Sequence, residues 1–173
     1  MNPIICTVNG SYFNFIDVDQ NVISIGTIAR GLSNICRFNG QIEKFYSVAQ
    51  HSVLCSYIVP EEFAMQALFH DAAEAYIGDI TTPLKILLHD YREIEKRVEF
   101  DIFKKLGIQW PMHRFVKEAD LIMLATERRD LFSPNNKDEW AILKDIEPAE
   151  QTIFPLLPDQ AYNLFLNRYF ELK

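Results

Sequence analysis

Ala67-Leu68-Phe69-His70-Asp71-Ala72-Ala73-Glu74-Ala75-Tyr76 sets three ionisable side chains into a run that is otherwise apolar or small. Ionised groups are costly to bury unless they are paired or bound to a cation, so this cluster needs a physical reason. Glu74 follows His70 by four residues and Asp71 by three, which in a helix places it on the same face one turn further on. Ala72, Ala73 and Ala75 leave room for close helix approach or for a ligand. A hydrogen-bonded His–Glu pair on a solvent face is the plain alternative, and the flanking Leu68, Phe69 and Tyr76 argue against it.

Outward from that stretch the apolar residues keep a period near 3.6. It predicts helices over Ser47–Ile58, Glu61–Ile77, Tyr91–Leu106, His113–Phe132 and Pro158–Leu172, with an earlier one around Ile25–Leu32 that Ser24 can cap. Pro60 separates two of these, Gly78 and Pro83 mark a loop, and Gly107 with Pro111 closes the next helix. Asn9-Gly10, between β-branched and aromatic residues, predicts a short hairpin with a type I′ turn. The expected fold is all-α, one helical domain over residues 1–173. It divides into a β-hairpin region (1–20), a helical core with the functional site (24–132), and a loop with a C-terminal helix (133–173). Pro134-Asn135-Asn136 reads as an exposed loop.

Composition bounds the function. A chain of 173 residues with 49% hydrophobic residues can bury one sizeable core. No apolar run reaches the roughly 18 residues that a membrane span needs, and Met1-Asn2-Pro3-Ile4-Ile5 lacks the pattern of a secretory leader, so the expectation is a cytoplasmic protein with no membrane partner. Cys6, Cys36 and Cys55 are odd in number and form no CxxC pair; they read as small apolar fillers in a reducing compartment. A net charge of -7 lacks the basic field that a nucleic-acid polymer requires, although a metal and a few basic side chains can still hold a small phosphorylated substrate.

Two further residues join the first cluster. His51, with Val48 three before and Cys55 four after, points inward with the apolar face of its helix; alone it reads as a hydrogen-bonded core histidine. Asp120 lies among Val116, Met123 and Leu124, and alone it reads as half of a salt bridge. Together His51, His70, Asp71 and Asp120 make an N2O2 donor set suited to Mn, Fe, Co, Zn or Ni. A cation there would acidify water and polarise a phosphoryl oxygen, and Glu74 can order and deprotonate that water. His89 and His113 lie in polar contexts and are expected to be exposed. Arg128-Arg129-Asp130 reads as a helix end satisfied by local carboxylates.

The order H…HD…D, with 19 residues from His51 to His70 and 49 from Asp71 to Asp120, resembles the HD-domain phosphohydrolases. Tyr46-Ser47-Val48-Ala49-Gln50-His51-Ser52, His70-Asp71-x-x-Glu74 and Gly78-Asp79-Ile80-Thr81-Thr82-Pro83-Leu84-Lys85 look like the 5′-deoxynucleotidase branch. The resemblance covers Ile25 to Asp130 and implies catalytic roles for Glu74, which aligns the water, and Asp79, which assists at the leaving 5′-oxygen or the nucleophile. It also implies that Arg37 contacts phosphate or sugar, that Phe38 stacks beside the base where the branch usually has Trp, and that Thr82 and Lys85 reach the phosphates. The implied cofactor is zinc, cobalt, manganese or iron, with further magnesium or manganese on the substrate phosphates.

The compact chain with its hairpin and Arg37-Phe38-Asn39-Gly40 looks most like phage dATP triphosphohydrolases of the 2-aminoadenine pathway. That resemblance implies release of deoxyadenosine and triphosphate from dATP, action on dADP and dAMP as well, and the host cytoplasm if the chain is phage-encoded. It also implies a homo-oligomer, a dimer or a hexamer. A 5′-deoxynucleotidase that accepts only dNMPs is the enzymatic alternative, and a degenerate HD module that binds a nucleotide as a regulator is the non-enzymatic one.

Overall fold

A two-stranded antiparallel hairpin, β1 (Ile4–Cys6) and β2 (Tyr12–Asn14), pairs Ile5 with Phe13 and drives Phe13 into the core. Its loop differs from the predicted turn. Thr7 N–H donates to Ser11 O (2.8 Å) and Gly10 N–H to Thr7 O (2.9 Å), so three residues form the tip and only Gly10 takes a positive φ (+82°). A type I turn followed by a left-handed glycine meets that description, whereas type I′ would need Asn9 to be left-handed as well. Asn9 instead spends its side-chain carbonyl on Thr7 Oγ1, Ser11 N and Ser11 Oγ.

The computed structural model describes residues 3–133 and 140–173; the expected loop at Pro134-Asn135-Asn136 lies outside them. Among the described residues the remaining architecture is helical: α1 (Ile25–Asn34), α2 (Val48–Ile58), α3 (Ala64–Phe69), α4 (Glu74–Ile77), α5 (Thr82–Lys85), α6 (His89–Leu106), α7 (Arg114–Leu131) and α8 (Pro158–Glu171). No helix is long and apolar enough to cross a membrane. Helix α2 is central: it packs against α1, α3, α7 and α8, and Val48, Ala49, His51, Ser52, Val53 and Cys55 are all fully buried on it. Ser47 caps it, accepting from Gln50 N–H. Ser24 occupies the corresponding position of α1 without a side-chain cap bond.

Three expectations are corrected here. The single helix predicted over Glu61–Ile77 is a 3₁₀ turn (Glu61–Phe63), then α3 and α4 separated by His70–Ala73. Across that break Ala72 N–H reaches Phe69 O and Glu74 N–H reaches Asp71 O, bonds to the third rather than the fourth preceding residue. The winding tightens there while Ala72 and Ala73 stay buried, which is why the apolar spacing conceals it. The loop predicted around Pro83 contains one helical turn, α5, with Pro83 in its first turn, where a missing N–H costs nothing. His113 is half-buried rather than exposed: it caps α7 by accepting from Phe115 N–H, and its ring stacks on Phe63 at 4.0 Å.

Two apolar clusters hold the helices together. The larger contains Phe13, Ile28, Leu32, Val53, Phe69, Ile102, Phe103 and Phe165; the smaller gathers Tyr46, Cys55, Val59, Val116, Met123 and Ile153. Gly31 brings α1 onto α4 so closely that a Cβ there would lie 2.8–2.9 Å from Ala75. Helix α4 is thereby pressed into the core from one side and carries Glu74 on the other.

Candidate active site

Helix α2, the tightened turn before α4, and α7 bring four side chains to one point. His51 Nε2 lies 3.3 Å from His70 Nε2, 3.4 Å from Asp120 Oδ1 and 3.7 Å from Asp71 Oδ2. His70 Nε2 lies 3.2 Å from Asp71 Oδ2. Ligands about 2.0–2.2 Å from a tetrahedral or octahedral cation stand about 3.0–3.5 Å apart, so this spacing fits a single ion.

The outward ring nitrogens support the same reading. His51 Nδ1 is 2.6 Å from Glu127 Oε1, and His70 Nδ1 is 2.8 Å from Ala67 O. With their Nδ1–H groups donated outward, both Nε2 atoms present bare lone pairs toward each other and toward two carboxylates, which a cation would reconcile. Burial and Arg37 oppose a charge on His51, and Cys55, Glu127 and Asp120 outweigh them, so its proton affinity rises well above the usual imidazole range. Burial likewise opposes a charge on His70, and Asp71 overcomes it. Burial would raise Asp71, but His70 and His51 pull it down. The field at this point asks for positive charge.

Cys55, one turn after His51, was expected to be an inert filler, yet its Sγ is 3.5 Å from His51 Nε2. His51, Cys55 and His70 offer ligand atoms that lie within 4.8 Å of one another. Sγ is also only 4.0 Å from His51 Nδ1, so it sits beside the ring rather than ahead of Nε2, and the carboxylates complete the donor set more directly. Cys6, the other departure from that expectation, is exposed.

His70, Asp71 and Asp120 line a cavity of about 970 Å³ that is also lined by Arg37, Phe38, Glu74, Asp79, Thr82 and Lys85. Of the ten candidate metal, catalytic and substrate-binding residues, nine line this space and His51 is fully buried. Glu74 is 5% exposed; one of its oxygens is 3.4 Å from Lys85 Nζ and the other has no hydrogen-bond partner. Burial, Asp71 and Asp79 push its carboxyl well above the usual range, which makes it a strong proton acceptor. Burial also raises Asp79. Lys85 is held by Glu95 (2.6 Å) and Glu74. Arg37 is 8% exposed, 3.0 Å from Glu127 Oε2 and 3.6 Å from Asp71 Oδ2. It therefore braces two acids of the site while also lining the cavity.

Glu127 was missed from sequence. It is fully buried and joins Arg37 to His51, orienting the imidazole as an outer partner does for a metal-binding histidine. Its position seven residues after Asp120, on the same face of α7, was the available signal. The Arg128-Arg129-Asp130 run is a clasp: Arg129 grips Asp130 and donates to the carbonyls of Ala149 and Gln151.

Residues 36–114 match the family described as 5′-deoxynucleotidase YfbR-like, a stretch that holds Arg37, Phe38, His51, His70, Asp71, Glu74, Asp79 and Lys85. Over 167 residues the chain is 48% identical to the uncharacterized protein YfdR of Escherichia coli (strain K12), covering 96% of this chain and 93% of that one. The chain belongs to the YfbR-like family. This places it among the HD-domain phosphohydrolases. An uncharacterized protein of Rhodobacter capsulatus is 30% identical over 72% of this chain and 70% of its own length. The 5′-deoxynucleotidase of Erwinia tasmaniensis is 37% identical over 96 residues, 52% of this chain and 40% of that enzyme. Relatives bearing that activity in their names are thus matched over about two fifths of their length.

Proposed function

We propose that this chain is a metal-dependent phosphohydrolase of deoxynucleotides that cleaves between the 5′-oxygen and the α-phosphorus. One observation carries the reading: His51, His70, Asp71 and Asp120 converge at 3.2–3.7 Å beside a buried Glu74 whose second carboxylate oxygen is unpartnered. A divalent transition metal held by those four would supply Lewis-acid polarisation of the phosphoryl group and make water more acidic. The chain's own groups do the rest. Glu74 takes the proton of the attacking water. Asp79, whose carboxyl burial raises, assists at the 5′-oxygen as its bond to phosphorus breaks or at the nucleophile. Arg37 fixes Asp71 and Glu127, and Lys85 fixes the orientation of Glu74.

The finer reading is a dATP triphosphohydrolase that releases deoxyadenosine and triphosphate and also accepts dADP and dAMP, with Phe38 against the adenine. An aromatic group supports a stacked base: Phe38 is 4.9 Å from Phe132 and 6.3 Å from Trp140, all three lining the cavity. A second reading, a 5′-deoxynucleotidase limited to dNMPs, is favoured by the names of the distant relatives. The homo-oligomer, dimer or hexamer, belongs to this proposal as well. To test it, the protein loaded with Mn, Co or Zn is incubated with dATP, 2-amino-dATP, dAMP and the other dNTPs, and the products are separated by ion exchange. Intact triphosphate with nucleoside from dATP supports the first reading, and equal hydrolysis of 2-amino-dATP removes its base preference. Phosphate from dNMPs alone supports the second. Glu74→Ala is expected to keep the metal and lose turnover; retained turnover would sink the assignment of the base.

A further inference from the structure

Tyr46 is fully buried, and its hydroxyl has no hydrogen-bond partner among the described residues. A buried O–H left unpaired is costly, so its place needs a physical reason. The residue is held from several sides. Its carbonyl accepts from Arg37 N–H at 2.9 Å, and the adjoining Ser47 both caps α2 and pairs with Cys36. Its ring packs in the cluster that contains Cys55, Val116 and Met123. The phenol is therefore ordered by its surroundings, and a bond made at its tip costs little further rotamer freedom.

Glu127, Arg37 and Cys55 are the polar side chains that act on this hydroxyl most strongly. Arg37 can only donate, and its Nε is itself buried without a partner. Cys55 Sγ is a weak acceptor that stands beside the His51 ring. Glu127 is the one full acceptor of the three. Its Oε1 is 2.6 Å from His51 Nδ1 and its Oε2 takes Arg37 Nη2 at 3.0 Å, which leaves lone pairs on both oxygens. Burial and Glu127 push the phenol well above its usual range against the pull of Arg37, so it keeps its proton and acts as a donor. Burial would raise Glu127, but Arg37, His51 and Tyr46 pull it below the usual carboxylate range, so it stays an acceptor.

We propose that Tyr46 is a positioning residue of the site: its hydroxyl donates to Glu127 and locks that carboxylate against His51. Glu127 then holds one orientation, in which it takes the Nδ1–H of His51 and leaves Nε2 bare toward His70 and Asp120. Tyr46 does not line the cavity, so it meets no substrate and acts through Glu127 alone. This role rests on the proposed reading of His51 as a metal ligand.

The test is a double-mutant cycle on the full-length protein. Co²⁺ affinity is measured by visible absorption in wild type, Tyr46→Phe, Glu127→Gln and the double variant, and urea unfolding of the metal-free proteins is followed in parallel. Tyr46→Phe keeps the ring and its packing. It is expected to weaken Co²⁺ binding roughly three- to tenfold, less than the roughly 10–100-fold of a direct outer partner. In the Glu127→Gln background the same change is expected to alter affinity less than about twofold, because the hydroxyl then has no charged acceptor to hold. Unchanged affinity in Tyr46→Phe would overturn the role, and so would an equal loss in both backgrounds, which is what a purely structural tyrosine gives. If wild type bound no Co²⁺, the metal reading of His51 would fall and the urea cycle would still decide. Additive effects of the two substitutions on stability would overturn the Tyr46–Glu127 bond, and coupled effects would uphold it.

Discussion

His51 is gripped on one side of its ring by Glu127, while the other side faces His70 and Asp120. Removing that outer carboxylate frees the ring to rotate and leaves Arg37 without its strongest partner. Glu127→Gln keeps the shape and removes the charge, so cation affinity is expected to fall about 10–100-fold without loss of fold, measured by Co²⁺ titration. Glu99, at the cavity wall, gives a second outcome. Burial, reinforced by Glu95 and Asp71, raises its carboxyl to about 7. A folded value above the unfolded one means the native state retains the proton longer. The native state is therefore penalised progressively as pH rises from about 4.5 to 7, and the penalty is constant above that. Glu99→Gln is expected to stabilise the protein in urea unfolding at pH 8 and to have no effect at pH 4.

Helices α1 and α4 meet through Gly31 and Ala75, and their contact sets the depth at which Glu74 sits. Gly31→Ala inserts a methyl 2.8–2.9 Å from Ala75 side chain and backbone, so α4 must shift. Overpacking of about 1–3 kcal/mol outweighs the helix-propensity gain of about 1 kcal/mol, and urea unfolding should show a net loss. Elements of this kind were largely legible in the sequence. Helix α2 stood out because its apolar residues keep the helical period and Pro60 follows it; α6 stood out because Gly107, at φ 68°, ends it. The break at His70–Ala73 was not legible, since bonds to the third or fourth preceding residue bury the same alanines over a single turn. In the site, His51, His70, Asp71 and Asp120 were legible as misplaced polarity on apolar faces. Glu127 was not, because it opens a charged run, Glu127-Arg128-Arg129-Asp130, that reads as solvated. Its burial depends on His51 and Arg37, 76 and 90 residues away.

Across the whole molecule, the four central residues tie together α2, the α3–α4 turn and α7. A cation that binds only this assembled arrangement stabilises the native state by mass action, by about 2.7 kcal/mol at a hundred times its dissociation constant. The melting temperature is therefore expected to rise with Zn²⁺ or Co²⁺ concentration and to return on chelation, and Asp120→Ala should abolish the rise; calorimetry with and without chelator checks this. The same arrangement governs the order of events along a folding trajectory. His51 and Asp120 are 69 residues apart, so a chain in which α7 has not docked on α2 does not bring them together. An ion that can be captured only after α7 has docked on α2 contributes nothing to the folding barrier, and its influence falls on the rate of escape from the native state. The metal would then act as a latch: folding proceeds at the speed of the bare chain, and unfolding waits for the ion to leave.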